Sequence, residues 1–184
     1  MIIVHAYTKH SRVRFIAENG IVAALYYGLT MLFIMVPAIS QFGPIQCQLS
    51  EFLILLAFFK PRLTYGLTLG CFLVNMTGAI LGQNLPIDML FGTAATLLSC
   101  IGIAYASKFL CISLLYPIVL NGFIVGLELY FLIDDGMPLY ACMGYVAIGE
   151  AIAMIFGYII MMTIIRNKGA MKVFGPTRHA DVKF

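Results

Sequence analysis

The chain has 184 residues, of which 62% are hydrophobic and 10% are charged. Soluble domains average about 25% charged residues, so this chain has too few polar side chains to cover a water-facing surface. The composition excludes a soluble globular protein and indicates an all-α integral membrane protein. The net charge of +3 does not indicate nucleic-acid binding, because the cations lie in short segments where membrane topology accounts for them.

Six apolar segments follow one another along the chain, and each is read as one membrane crossing. The predicted crossings are, in chain order, about residues 15–37, 45–59, 63–82, 87–106, 116–133 and 139–165. We therefore expect one six-helix transmembrane domain over residues 15–165, after a cytoplasmic lead-in over residues 1–14 and before a cytoplasmic tail over residues 166–184. The lead-in lacks an apolar core with a cleavage site, so we do not expect a cleaved signal peptide.

Two of these segments need a further argument. The second is short for a crossing, and we expect it to cross because Lys60 and Arg62 follow it and would otherwise be stranded outside. Residues 109–133 are too long for one span and contain Pro117, which is tolerated in a first helical turn. We expect this helix to begin near Tyr116, after an interfacial connection over residues 109–115.

The Lys and Arg residues all fall at one side of the predicted bundle. Cytoplasmic loops of membrane proteins carry an excess of these cations, so the pattern predicts that both termini are cytoplasmic. The chain contains these eleven cations: Lys9, Arg12, Arg14, Lys60, Arg62, Lys108, Arg166, Lys168, Lys172, Arg178 and Lys183.

Acidic and amide residues interrupt the apolar segments in the half that faces away from the cations. Ionisable groups at such depth are costly and usually face a cavity or a partner. Since no Lys or Arg lies in that half, carboxylates there would repel one another unless a cationic or donor-rich ligand satisfied them. The candidate binding residues are Gln46, Gln48, Glu51, Asn75, Asp88, Asn121, Glu128 and Glu150.

Their residue types favour one kind of ligand. Asn121 and Glu128 are two helical turns apart and share a helix face, which we expect to look into the bundle. Carboxylates accept from paired N–H donors, while Gln and Asn both donate and accept, so the set suits a planar heterocycle with adjacent donors and a carbonyl. We expect nearby rings to stack on it, the candidates being Phe42, Phe91, Tyr130 and Tyr140.

Each polar residue also has a plain structural explanation. Intramembrane Asn, Gln and Glu side chains often bond neighbouring helices without any ligand. Asp88 stands at the predicted start of a helix, where a carboxylate caps the helix and complements its dipole. Gly20, Ala24 and Gly28 form a row of small residues on the first helix, and such rows, including Gly66 with Gly70, usually serve helix packing.

Several functional classes find no support in the sequence. It contains no phosphate-binding loop, so the chain itself is not expected to hydrolyse ATP. It has no nucleophile elbow or zinc-protease motif, and we do not expect an enzyme. The three histidines lie in the terminal segments and the five cysteines lack paired spacing, so we expect neither a metal site nor any other cofactor in this chain.

Four segments and one residue pair are informative as a set: Gly43–Glu51 (GPIQCQLSE), Gly70–Asn75 (GCFLVN), Asp88–Leu97 (DMLFGTAATL), Asn121–Glu128 (NGFIVGLE) and the pair Gly149 and Glu150. Together they resemble the QueT family, the substrate-binding S components of energy-coupling factor (ECF) transporters for queuosine precursors. The similarity extends over about residues 15–165.

The resemblance implies a six-helix, multi-pass protein of the bacterial plasma membrane that captures a 7-deazaguanine, preQ1 or queuine, through the candidate residues above. It implies as partners a transmembrane T subunit and two ATPases, which would hydrolyse the ATP. Gly20, Ala24 and Gly28 would contact the T subunit, although the family usually has alanines there. Gln48 departs from the family pattern, in which a basic residue is expected.

Two alternatives remain open at this point. The chain would instead be a stand-alone, gradient-driven carrier for a cationic small molecule, with Glu128 or Glu150 as the proton-coupling carboxylate. It would otherwise be a structural membrane subunit whose glutamates only bond neighbouring helices. Co-purifying ATPases would exclude the first alternative, and a bound ligand would exclude the second.

Overall fold

All described elements of the chain are helices and turns. The computed structural model describes the backbone of residues 2–34, 48–132 and 136–166, and the side chains of residues 12–32, 48–132 and 136–166. We number the helices in chain order. They are α1 (Ile2–Ile34), α2 (Leu49–Phe59), α3 (Pro61–Ile80), α4 (Asp88–Ala106), α5 (Leu110–Leu132) and α6 (Leu139–Arg166).

Five of the helices are long and apolar enough to cross a membrane, namely all except α2. Their outward faces carry large apolar side chains that a soluble protein would bury: Ile16 is 69% exposed, Ile80 is 77% exposed and Phe131 is 73% exposed. Such faces are stable against lipid, because hydrocarbon replaces the protein core as their apolar environment. The expectation of an all-α, multi-pass membrane protein is confirmed.

The second helix differs from the expected full crossing. It begins as a 3-10 helix over Leu49–Leu55 and ends with one α-helical turn, Leu56–Phe59. At a rise of about 1.5 to 2 Å per residue it spans about 20 Å, less than the apolar thickness of a bilayer. Every residue from Ser50 to Lys60 is buried, so α2 lies inside the bundle and has no lipid-facing side. The structure thus contains five helices of spanning length and one short interior helix among the residues it describes.

The long helices follow one another side by side, and α2 packs between the first and the last of them. Neighbouring pairs are α1 with α3, α3 with α4, α4 with α5 and α5 with α6, while α2 packs on both α6 and α1. Glycines allow the close approaches: a Cβ atom on Gly126 would lie 2.7 Å from Cα of Met143, and one on Gly66 would lie 2.5 Å from the carbonyl oxygen of Asn19. The Asn19 side chain also accepts a hydrogen bond of 2.6 Å from the Gly66 backbone N–H.

Ion pairs join α1 to the junction of α2 and α3 at one side of the bundle. The Glu18 carboxylate of α1 forms ion pairs with Arg14 Nε at 2.9 Å, with Lys60 Nζ at 3.4 Å and with Arg62 Nη2 at 2.9 Å. Lys108 follows the end of α4, and Arg166 is the last residue of α6. We call this side the cationic end.

Helix boundaries agree with the sequence prediction except at the first helix. Helix α1 begins at Ile2 instead of near residue 15, because the cations over residues 2–14 are compatible with a helix and that stretch contains no Gly or Pro. The main part of α5 is Leu115–Leu132, so the predicted start near Tyr116 is confirmed, with Pro117 in the first turn. The expected connection before it contains one helical turn, Leu110–Ser113. The predicted end of the first span, near residue 37, lies outside the described residues.

Candidate ligand-binding site

A cavity of about 350 Å³ lies inside the bundle, at the end opposite the cationic end. Small-molecule sites in proteins begin at about this volume. Helices α2 to α6 and the turn after α3 contribute to its wall. Seven of the eight residues predicted to bind a ligand line this cavity, and they are Gln48, Glu51, Asn75, Asp88, Asn121, Glu128 and Glu150. The eighth, Gln46, lies outside the described residues.

Glu51 is fixed by hydrogen bonds from two other helices. Its Oε1 accepts a short hydrogen bond from the Tyr26 hydroxyl of α1 and a bond of 3.0 Å from Thr96 Oγ1 of α4. Gln48 Nε2 donates to the same Tyr26 hydroxyl at 3.1 Å. Glu51 is 2% exposed, and its Oε2 has no hydrogen-bond partner among the described residues. One oxygen is therefore held by the protein, and the other is available to a molecule in the cavity.

Glu150 and Asn121 form an acceptor and donor side by side. Glu150 lies in the middle of α6, 6% exposed, and faces Asn121 of α5, which is 3% exposed. Oε2 of Glu150 and Nδ2 of Asn121 lack a hydrogen-bond partner of normal geometry within the described part of the chain. Buried polar atoms are nearly always bonded in stable proteins, so these two atoms mark a place where a ligand or water completes the bonding.

Asp88 and Glu128 form a second acidic group, nearer the turn after α3. Asp88 begins α4, and its Oδ2 accepts from the backbone N–H of Leu85 at 3.1 Å. Asp88 thus lies in the first turn of α4, as predicted, but the predicted capping bond is absent, because the carboxylate accepts from an N–H of the preceding turn and not from one of the helix. Asp88 lines the cavity as well. Glu128 is 5% exposed, lies next to Asp88 and has no partner for Oε1 in the described ranges.

Asn75 reaches the cavity because α4 has a glycine opposite it. A Cβ atom on Gly92 would lie 2.8 Å from Asn75 Nδ2, so any other residue at this position would displace the amide. Asn75 Nδ2 is 3.5 Å from Cys71 Sγ, a weak acceptor that leaves the amide available for other bonds. Asn84 Nδ2 donates to the Asn75 backbone carbonyl at 3.4 Å and joins the turn to α3.

Sequence reasoning missed two members of the site. Tyr26 is fully buried and Thr96 is 1% exposed, and both hold Glu51. A tyrosine or threonine in an apolar segment gives no signal by itself, since either residue also serves ordinary helix packing. Their roles depend on the approach of α1 and α4 to α2, which spacing along the chain does not encode.

The prediction that aromatic side chains would stack on the ligand is wrong for three of the four candidate residues. Phe91 is 36% exposed, Tyr130 is 42% exposed and Tyr140 is 79% exposed, and none of them lines the cavity. They occupy outward helix faces, where an aromatic ring is stable against lipid. The fourth candidate, Phe42, lies outside the described residues.

The cavity wall carries carboxylates without a protein counter-ion. Neither Lys nor Arg occurs among the described residues that line it, whereas Glu51, Asp88, Glu128 and Glu150 all do. No group of three His, Cys, Asp or Glu side chains in the described ranges is arranged to hold a metal ion. Chemically, the wall offers many acceptors and a few amide donors, which suits a molecule rich in N–H groups.

Fold and site together define an all-helical, multi-pass membrane protein with a polar cavity of small-molecule size inside the bundle. Comparison with known proteins adds the family. The sequence profile described as QueT transporter matches residues 16–166. A protein named queuosine precursor transporter QueT, from Lactococcus lactis subsp. cremoris (strain MG1363), is 28% identical over 170 residues, which cover 83% of this chain and 93% of that protein.

The chain belongs to the QueT transporter family, since the family profile matches most of its length. The matched region begins within α1 and ends with α6, so it includes α2 to α6 and every residue that lines the cavity. No solved structure matches the chain significantly.

Proposed function

We propose that the chain is the S component of an ECF-type importer and captures a 7-deazaguanine queuosine precursor, preQ1 or queuine. The observation that carries the proposal is the set of unpartnered carboxylate and amide atoms around one cavity, in a chain of the QueT transporter family. Transport of queuosine precursors by the Lactococcus relative agrees with it. In this role the chain is a binding subunit and not an enzyme.

The ligand's chemistry matches the wall of the cavity. A 7-deazaguanine carries adjacent N–H donors on one edge beside a carbonyl acceptor, and preQ1 and queuine add a cationic amine on a short arm. Glu51, Glu128 and Glu150 would accept from these donors, and the amides of Asn75 and Asn121 would complete the bonding. Gln46, Gln48 and Asp88 would complete the pocket. An anionic ligand would be repelled by the same wall.

The direction of binding follows from the distribution of charge. Cytoplasmic loops of plasma-membrane proteins are rich in Lys and Arg, so the cationic end would face the cytoplasm of a bacterium. The cavity then faces outward, and both termini are cytoplasmic. Helix α2 then counts as the second of six crossings, because Glu51 near its start lines the cavity while Lys60 at its end contacts Glu18 at the cationic end. The surrounding helices shield its short length from lipid.

Energy for uptake would come from partner subunits. The sequence contains no phosphate-binding loop, so a T subunit and two ATPases would form the ECF module and hydrolyse the ATP. Gly20, Ala24 and Gly28 are the proposed contact with the T subunit. A Cβ atom at Gly20 or Gly28 would meet nothing within 4 Å, unlike Gly66 and Gly126, which are used for packing inside the bundle.

Ligand binding is tested with the purified chain by isothermal titration calorimetry with preQ1. Glu51→Gln and Glu150→Gln each remove a charged acceptor, and hydrogen bonds to charged groups contribute about 1.5 to 3 kcal/mol, so each should weaken binding about 10- to 100-fold. Glu18→Gln is the matched control, because Glu18 lies at the cationic end and should leave affinity within about twofold. Unchanged affinity in both cavity variants would refute the pocket assignment.

The partner proposal is tested by co-purification and uptake. The chain should co-purify with a T subunit and two ATPases, and uptake in proteoliposomes should stop when ATP hydrolysis is blocked. Gly20→Leu and Gly28→Leu should release the partners, while Gly144→Leu, at another position with open space around it, should not. Uptake by the chain alone, driven by a proton gradient, would instead identify a stand-alone carrier.

A further inference from the structure

The cavity has two levels whose chemistry differs. Asn121 and Glu128 both line it from α5, and their separation of two helical turns corresponds to about 10 Å along the helix axis. Asp88 and Thr96, on the neighbouring α4, are separated in the same way. Asp88 and Glu128 define an outer level near the turn after α3. Glu51, Thr96, Asn121 and Glu150 define an inner level near the middle of the bundle.

The inner level pairs acceptors with a donor. The unpartnered Oε2 atoms of Glu51 and Glu150 lie on the same wall as the unpartnered Nδ2 of Asn121. A carboxylate beside a carboxamide N–H complements an edge that presents N–H donors next to a carbonyl oxygen, as one edge of a guanine-like base does. An alkylammonium group would satisfy the acceptors but would leave the Asn121 donor without a partner.

The outer level brings two carboxylates together, while the side-chain amides at this level belong to Gln83 and Asn84 of the turn after α3. Asp88 and Glu128 lie next to each other, and the bond from the Leu85 backbone N–H uses one oxygen of Asp88. Glu128 is only 5% exposed, and its Oε1 is unpartnered within the described residues and borders the cavity. Glu128 is buried and Asp88 is half-buried. Two adjacent carboxylates repel each other when both are ionised, and a positive group between them would relieve that repulsion.

We propose that Asp88 and Glu128 form a subsite for the cationic amine on the arm of the ligand, while the inner level binds the edge of its ring. This assignment rests on the proposed function, because it assumes a deazaguanine in the cavity. A bicyclic base with a one-carbon arm and one hydrogen bond at each end is long enough to reach both levels. The consequence is selectivity: a deazaguanine with an aminomethyl arm is preferred to the same ring with an uncharged arm.

Geometry disfavours a metal ion as the positive group. The outer level brings together two carboxylates, and no three metal-ligating side chains are grouped in the described parts of the chain. An ammonium group needs fewer ligands than a metal ion and donates three hydrogen bonds, which two carboxylates can accept.

The test compares two ligands that differ only in the arm, 7-aminomethyl-7-deazaguanine and 7-cyano-7-deazaguanine. Binding of both to the purified full chain is measured by isothermal titration calorimetry. The wild-type chain should bind the amine at least tenfold more tightly than the nitrile. In Glu128→Gln and in Asp88→Asn this preference should fall below threefold, because each variant keeps the shape of the side chain but removes a charge. The amide oxygen introduced by Asp88→Asn can still accept from the Leu85 N–H, so the start of α4 is retained.

Glu150→Gln is the matched control within the same cavity. It should weaken both ligands by a similar factor and leave the preference for the amine in place. Equal affinity of the wild-type chain for the two ligands would overturn the subsite, and so would equal losses for both ligands in Glu128→Gln. In either case tight binding of both compounds would leave the proposed function intact. Queuine is titrated in the same assay, and binding of none of the three compounds would refute the proposed function and the subsite with it.

Discussion

The hydroxyl group of Tyr26 is predicted to stabilise the whole bundle through one carboxylate. Tyr26→Phe deletes the donor to Glu51 Oε1 and the acceptor of Gln48 Nε2, and it changes nothing else in the shape of a fully buried side chain. Glu51 then keeps the bond from Thr96 as its single described partner. A buried carboxylate that loses one of its two donors is less well solvated, so the folded state should be less stable.

The expected magnitude follows from measurements on other membrane proteins. Interhelical hydrogen bonds within bilayers contribute about 0.6 kcal/mol on average and at most about 1.7 kcal/mol in double-mutant cycles. The bond between Tyr26 and Glu51 belongs at the upper end, because the acceptor is a carboxylate and both residues are buried. We therefore expect a coupling free energy of about 1.5 kcal/mol between Tyr26→Phe and Glu51→Met. The second substitution is to Met and not to Gln, because an amide oxygen would still accept from the Tyr26 hydroxyl.

The assay is reversible unfolding of the purified chain in mixed micelles, with both single variants and the double variant. Tyr27→Phe is the control: its hydroxyl bonds Thr77 Oγ1 at 3.2 Å, a neutral and only part-buried pair. The control should lose no more than about 0.6 kcal/mol. A coupling below about 0.3 kcal/mol for Tyr26 and Glu51, or equal losses in Tyr26→Phe and Tyr27→Phe, would refute this reasoning.

Three further predictions concern other parts of the bundle. Gly126→Ala should destabilise the chain by about 1 to 3 kcal/mol in thermal unfolding, because its Cβ would meet backbone atoms of α6, whereas Gly144→Ala has open space and should change little. Gly92→Ala should weaken preQ1 binding at least fivefold with an unchanged melting temperature, since the new methyl group meets only the side-chain amide of Asn75. Glu18→Gln should lower the free energy of unfolding by about 1 to 3 kcal/mol, because it removes the shared counter-ion of three cations, one of them buried.

Each of these three predictions would be contradicted by a specific outcome. Equal melting temperatures for the Gly126 and Gly144 variants would show that α5 and α6 do not pack as described. A Gly92 variant that binds preQ1 normally would remove Asn75 from the proposed site. A Glu18 variant as stable as wild type would mean that water, and not Glu18, compensates the charge of Lys60.

Much of the site could be predicted from the sequence, because ionisable residues are rare in apolar segments and their burial in a membrane costs free energy. Glu51, Glu128 and Glu150 stand out for this reason alone, and the one-sided cations assign them to the same half of the bundle. Asn121 could be added because two helical turns separate it from Glu128 on one helix face. Seven of the eight predicted residues indeed line one cavity.

Other features depended on contacts between helices that are distant in sequence. Tyr26 acquires its role because α1 approaches α2, and Phe91 loses its expected role because the rotation of α4 turns its ring outward. Likewise Gly66 of α3 packs directly against α1, whereas Gly20, which occurs in a row of similar spacing, has open space beside it. Within an apolar segment, the sequence does not distinguish a small or aromatic residue that faces the bundle from one that faces lipid. Packing between helices decides which way each one faces.

The sequence by itself determined the class of protein, most helix boundaries and the carboxylates, since composition, apolar length and intramembrane charge are local properties of the chain. Only the tertiary structure decided that the second segment is a short buried helix, because its burial comes from the neighbouring helices α1, α3, α4 and α6. The tertiary structure also decided which carboxylate oxygens are already bonded and which remain available. That distinction depends on distances across helix interfaces, which periodicity along one chain cannot supply.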